Sequence, residues 1–223
     1  MMVICPICNR KIGFFEDKKR DEAGELMHVK CQRLNKIQQQ EEEKRSREAL
    51  WPEKLQKLYY KAQDAFTNGK DNEAVFFISK IKKEKIENED YLLSLKELIL
   101  LNEYDGFEDD VEFCFRMLIK LSPDNISIWF SYIEFDEEYV GDTSNIINDA
   151  LIQFPQNEKL VEMKIRTLIE DEEGIVALRE LLKLKRINPT NPSISSLKES
   201  AIEIVFENEE EDNPEVMSLI EDI

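Results

Sequence analysis

Cys5-x2-Cys8 and His28-x2-Cys31, nineteen residues apart, are two cysteine and histidine pairs at metal-ligand spacing. Three of the four cysteines and the sole histidine fall within the first 31 residues. Paired ligands at x2 spacing suit one tetrahedral ion, because a tight turn brings two thiolates within about 2.3 Å of a common centre and the second pair closes the shell. Three thiolates and one imidazole favour zinc. An iron-sulfur cluster more often takes four cysteines, and a redox Cys-x2-Cys lacks a second ligand pair. A disulfide would leave His28 without a role and is disfavoured where thiols stay reduced. Four protein ligands leave no open coordination position, so the expected Zn2+ is structural rather than hydrolytic. Metal analysis of the purified chain is expected to find one zinc, lost in His28→Ala; a folded, metal-free N-terminus would sink this reading.

The elements that must position these ligands can be read between and after them. Arg10 to Glu16, with Ile12 and Phe14 on one face, then Asp21-Glu22-Ala23-Gly24, then Leu26 to Val29, reads as a β-hairpin, and Gln32 to Glu48 reads as a helix. Knuckle, hairpin and helix together resemble a treble-clef zinc finger, and the ligand order resembles the first zinc site of LIM domains. The likeness covers about 40 residues and lacks a second zinc module, so LIM-specific partners do not follow from it. A segment this short buries too little apolar surface to fold alone, which makes the metal a large part of its folding free energy. Arg10, Lys11, Lys18, Lys19, Arg20, Lys30 and Arg33 offer either a nucleic-acid face or a solvated surface, with Glu16, Asp17, Asp21, Glu22 and Glu25 interleaved among them.

The charge is unevenly spread. The 223 residues hold 30 Lys/Arg against 48 Asp/Glu, a net charge of −18. Residues 1–50 carry 11 basic and 9 acidic side chains, net +2, which leaves 19 and 39, net −20, for residues 51–223. An array this acidic repels phosphate backbones, so any nucleic-acid contact falls to the N-terminal part. No run approaches the roughly 18 apolar residues of a membrane span, and no apolar signal core opens the chain, so a cytoplasmic protein away from membranes is expected. The single histidine is committed to metal, and there is no Walker loop, no Gly-x-Gly-x-x-Gly turn and no His-Glu-x-x-His helix. An enzyme is therefore not expected, nor a small-molecule substrate.

From Trp51-Pro52-Glu53 onward apolar residues recur at helical spacing. Gly69, Gly106, Gly141 and Gly174 stand 37, 35 and 33 residues apart, and Pro123, Pro155 and Pro189 alternate with them. Gly13 and Gly24 belong to the hairpin, whereas these four are expected to mark the turn inside each helix pair. A period near 34 with two turns per period signals stacked helix-turn-helix units. Leu118 to Asn125, Leu151 to Asn157 and Leu181 to Asn191 also align with one another.

This pattern resembles the tetratricopeptide repeat (TPR) over about residues 55–192. Ala62, Gly69 and Ala74 fit its small positions, and Pro123 and Pro189 fit its closing proline. Trp129-x2-Tyr132-Ile133-Glu134-Phe135-Asp136 is similar to the half-a-TPR (HAT) variant. The expected fold is mainly α, an α-solenoid of about four helix-turn-helix repeats preceded by a small zinc-binding β-hairpin plus helix module. Residues 1–40 form the finger, 41–52 a charged helical linker, 53–207 the repeats with a capping helix, and 208–223 an acidic tail with a short amphipathic helix.

The resemblance implies a concave surface lined by the first helix of each pair: Gln56, Tyr59, Gln63, Leu93, Lys96, Leu100, Phe130, Glu134, Lys159 and Arg166. The Lys/Asn/Arg set with which some members clamp a C-terminal carboxylate is absent. Cys114, in an apolar helical stretch, reads as a small buried hydrophobe. Val216, Leu219, Ile220 and Ile223 fall at i, i+3, i+4 and i+7, a helix expected to dock either in cis or on a partner. The expected function is a scaffold whose acidic array binds a basic protein partner. The alternative is a nucleic-acid-linked factor whose finger contacts RNA or DNA while the repeats recruit proteins.

Overall fold

A computed structural model describes residues 18–20, 26–28, 31, 36–37, 50–207 and 214–223. Among them are ten α-helices and one antiparallel strand pair, a mainly α chain, divided into two compact units, Met1–Ser94 and Leu95–Ile223. Cys5, Cys8 and the expected strand Arg10 to Glu16 lie outside the described residues.

In the first unit β1 (Lys18–Arg20) pairs with β2 (Leu26–His28), Lys18 opposite His28 and Arg20 opposite Leu26. β2 lies within the expected segment Leu26 to Val29, and β1 is the segment directly before Asp21, since a short connection pairs the residues that flank it.

Helix α1 (Glu53–Thr67) follows Pro52, which is its N-cap, and buries Leu55, Tyr59, Ala62 and Phe66 along one stripe. It closes on a Schellman turn: Gly69 takes φ +67°, the Lys70 amide donates to Ala65 O at 2.9 Å and the Gly69 amide to Phe66 O at 2.9 Å. Helix α2 (Asp71–Ile81) packs back on α1, with Ala62 and Ala74 both fully buried, as the small positions require. Trp51 sets its ring edge-on to Tyr59 at 5.0 Å and to Tyr91 at 4.9 Å, and the Tyr91 hydroxyl donates to Leu55 O at 3.1 Å. Helix α3 (Glu89–Leu100) starts on Asn88, whose side chain accepts the Tyr91 amide at 2.8 Å.

The second unit continues with α4 (Phe107–Leu121), α5 (Ile126–Tyr139), α6 (Ser144–Gln153), α7 (Glu158–Glu170), α8 (Gly174–Ile187), α9 (Ile194–Glu207) and α10 (Pro214–Asp222). From α4 to α9 each helix packs on the next, α9 also reaches α7, and α10 packs on α8. Helices α3, α5, α7 and α9 begin 37, 32 and 36 residues apart, an arrangement compatible with a helical repeat.

One local device recurs three times. Ser122-Pro123-Asp124-Asn125, Phe154-Pro155-Gln156-Asn157 and Asn188-Pro189-Thr190-Asn191 each close with the Asn amide donating to the first carbonyl, at 3.1, 3.0 and 3.1 Å. Proline supplies the fixed φ of the second turn position and forces the residue before it out of helix. The asparagine side chain then accepts an amide of the next segment, from Ser127 at 3.2 Å, Leu160 at 3.0 Å and Ser193 at 2.7 Å.

The glycine clock is right at three of its four marks. Gly69, Gly106 and Gly141 have φ of +67°, +78° and +88° in the turns within helix pairs. Gly174 does not: it is the first residue of α8, and the left-handed position before it belongs to Glu172, φ +61°. The Glu173 amide donates to Leu168 O at 2.8 Å and that of Glu172 to Ile169 O at 3.1 Å, so the same turn forms without glycine. Gly174 is needed for close approach, since a Cβ there would lie 2.8 Å from Ala201 O.

Val161, Ile165, Ala177, Leu178, Leu181, Leu184, Leu197, Ala201 and Val205 form one apolar core, completed by Val216 and Leu219 of α10. The terminal helix thus docks in cis. Lys185 Nζ donates to Asp222 O at 2.8 Å and Lys198 Nζ to Ile220 O at 2.5 Å, two cations on the carbonyl end of the helix. Cys114 is fully buried in α4. Among the described residues no helix is long and apolar enough to cross a membrane.

Candidate functional site

Helices α4 and α5 meet through aromatic rings. Phe115 of α4 stacks on Tyr132 of α5 with centroids 5.0 Å apart, and Phe107 of α4 meets Tyr139 of α5 edge-on at 5.3 Å. This layer fixes the α5 face that carries Trp129, Tyr132 and Asp136 against the acidic edge of α4. Two adjoining clefts open there, of about 480 and about 350 Å3, and both are lined by Glu112, Tyr132, Asp136 and Val140. Glu108, Asp109, Phe135 and Tyr139 complete the smaller one, so four carboxylates and no Lys or Arg line it among the described residues. The larger adds Arg116 and Lys120 but also Asp142 and Asp149.

Glu112 is the hub of the wall. It accepts the Tyr132 hydroxyl at 3.0 Å and pairs with the Arg116 guanidinium one turn along α4. Burial pushes the Tyr132 phenol up to about 12, with Arg116 opposing and Glu112 reinforcing the shift, so the hydroxyl stays a donor at all ordinary pH.

Asp136 is only 6% exposed. Its Oδ2 accepts the Asp142 amide at 3.1 Å, which ties the α5–α6 turn at Gly141. Burial holds the carboxyl above the ordinary aspartate range; the Asp142 amide opposes this, and the charges of Asp142 and Glu112 add to it. Among the described residues no Lys or Arg forms an ion pair with it. Of the other buried acids, Glu180 is paired with cations. Glu180 meets Lys183 at 2.7 Å and Lys164 at 3.4 Å, and Asp110 accepts the Tyr104 hydroxyl. A buried carboxylate without a cation is costly, and the cleft offers the route by which one can arrive. The arrangement is chemically suited to holding an organic cation against carboxylates and rings.

The surface residues carried over from the repeat resemblance lie away from these clefts. In the first unit Tyr59 is 3% exposed and belongs to the core with Trp51, because the aromatic cluster needs its ring; Gln56, Gln63 and Leu93 are half-buried. In the second unit Lys96 sets its ammonium 4.9 Å from the Phe115 centroid, and Lys159 sits 4.3 Å from that of Phe130. Leu100 is half-buried, Glu134 is exposed, and Arg166 pairs with Glu162 at 2.8 Å. None of these lines the two clefts. Phe130 and Glu134 lie on a different face of α5 from Tyr132 and Asp136. The signal for the face that lines the clefts was present, an acid at i+4 from Tyr132 on the apolar stripe Trp129, Tyr132, Ile133.

Of the expected zinc ligands, Cys31 is half-buried and helical, and His28 is the last residue of β2. Cys5 and Cys8 lie outside the described residues, and among the described ones no group of three or more His, Cys, Asp or Glu side chains is arranged to hold a metal. No family model matches the chain, and no curated protein matches it. The likenesses to TPR, HAT and treble-clef modules therefore rest on the residues quoted above.

Proposed function

We propose that the chain is a non-enzymatic scaffold whose acidic TPR-like repeats hold a basic protein partner, with an N-terminal treble-clef-like finger built around one structural zinc on Cys5, Cys8, His28 and Cys31. The observation that carries the reading is the −20 charge of residues 51–223 together with a cleft lined by four carboxylates and no cation among the described residues. Charge of one sign around a cleft steers an oppositely charged segment toward it and sets which partners are rejected.

The test is a binding titration of the full chain with a Lys/Arg-rich peptide at rising salt. Affinity is expected to fall steeply between about 0.05 and about 0.5 M salt, as screening shortens to a few ångströms. A chain that binds neutral or acidic peptides as well as basic ones is not this scaffold. One observation favours the nucleic-acid alternative: β1 consists wholly of Lys18, Lys19 and Arg20. The same titration with single-stranded RNA decides it. Salt-sensitive binding lost in a Lys18→Glu, Lys19→Glu, Arg20→Glu variant supports the alternative, and no binding supports the scaffold.

A further inference from the structure

We propose that the α4–α5 cleft is an arginine-accepting subsite, in which Asp136 and Glu112 receive the guanidinium of a basic segment while Tyr132 and Trp129 wall it. The inference rests on the basic-partner reading above and gives it a place and a side chain.

Three observations converge on it. First, Asp136 is a residue 94% removed from solvent, with one carboxylate oxygen on the Asp142 amide and no ion pair to a Lys or Arg among the described residues. The fold has already met the cost of desolvating it. An incoming cation gains the attraction of a low-dielectric pair without that cost being met again at binding. Second, the two clefts share Glu112, Tyr132, Asp136 and Val140, and their volumes of about 480 and about 350 Å3 suit a long side chain with its flanking backbone. Third, the same wall already holds one guanidinium, that of Arg116, on the Glu112 carboxylate that also accepts the Tyr132 hydroxyl.

Arginine rather than lysine follows from the donor set. A planar fork can serve Asp136 and Glu112 together and lie against a ring, and it sheds water more readily than an ammonium. A metal ion is a poorer fit, because no three carboxylates among the described residues are grouped to hold one.

The experiment uses the full chain and two labelled peptides of equal length and charge, one alternating Arg with Ser and the other Lys with Ser. Wild type is expected to bind the Arg peptide roughly tenfold more tightly. Asp136→Asn keeps an oxygen for the Asp142 amide and removes the charge; it is expected to erase that preference. Glu137→Gln, the same charge change at an exposed site on α5 outside both clefts, is expected to keep it.

Folding is not expected to confuse the result. A carboxyl raised by burial contributes its stability at low pH and loses it as pH rises through its folded value, so at neutral pH the amide relieves a penalty. Asp136→Asn should melt no lower than wild type. Amide NMR of the unmodified chain gives an independent readout: the Arg peptide is expected to shift the Asp142 amide. If both variants weaken Arg binding equally, or the Asp142 amide stays still on saturation, the subsite is wrong while the acidic scaffold stands. If neither peptide binds, the scaffold reading itself fails.

Discussion

Gly174→Val is expected to destabilise the second unit by about 3 kcal/mol, read as a lowered urea midpoint with an unchanged slope. The reason is spatial. A Cβ at this position lies 2.8 Å from Ala201 O and 2.9 Å from Val205 Cγ2, both on α9. The first of these is backbone, so no rotamer change relieves it; α8 and α9 must separate, which loosens the core around Ala177 and Ala201. The other helix-pair glycines supply the contrast. At Gly69, Gly106 and Gly141 nothing lies within 4 Å of an added Cβ, but each has positive φ. Alanine there meets only the left-handed penalty, about 1 kcal/mol. A Gly174→Val protein as stable as Gly106→Ala would mean that α8 and α9 do not approach as closely as described.

The glycine clock shows how far the sequence alone reaches. Its period was legible because glycine and proline mark chain reversals, and the Pro-x-Asn signature, repeated at Pro123, Pro155 and Pro189, survives into three identical turns. The meaning of one mark was not legible. Glycine is used both for positive φ and for having no side chain, and a sequence does not separate the two. At α7–α8 the left-handed position went to Glu172, leaving Gly174 for packing.

The cleft was hidden for a different reason. One acid among 48 carries no mark of its own. Asp136 becomes distinctive only when α4 packs on α5 and withdraws its carboxylate from water, which is a tertiary event. Tyr59 illustrates the converse: position within a repeat assigned it to a surface, but Trp51 and Tyr91 recruit its ring into the core. Helix periodicity names the face that is buried; it does not say which acidic side chain on that face is left without an ion pair.

The second large effect concerns α10. The double variant Val216→Asp, Leu219→Asp is expected to lose about 3 kcal/mol and to release the helix, leaving its amides exchanging almost as fast as in an unfolded chain. Nine residues are too few for a stable isolated helix in water, so α10 exists because it is docked. Val216 and Leu219, 1% and 8% exposed, are its anchors in the core of α8 and α9. Carboxylates cannot remain there unpaired, so undocking is the cheaper response, and it bounds the loss at the docking free energy rather than at two full burial penalties. Met217, 51% exposed on the outer side, provides the control: Met217→Asp is expected to stay within about 0.5 kcal/mol of wild type. Lys185→Ala and Lys198→Ala should each act in the same direction as the double variant but more weakly, since each removes one charged donor from the carbonyl end. A double variant that melts with wild type would mean that the apolar face of α8 and α9 under Val216 and Leu219 needs no cover, against the cost of exposing apolar surface to water.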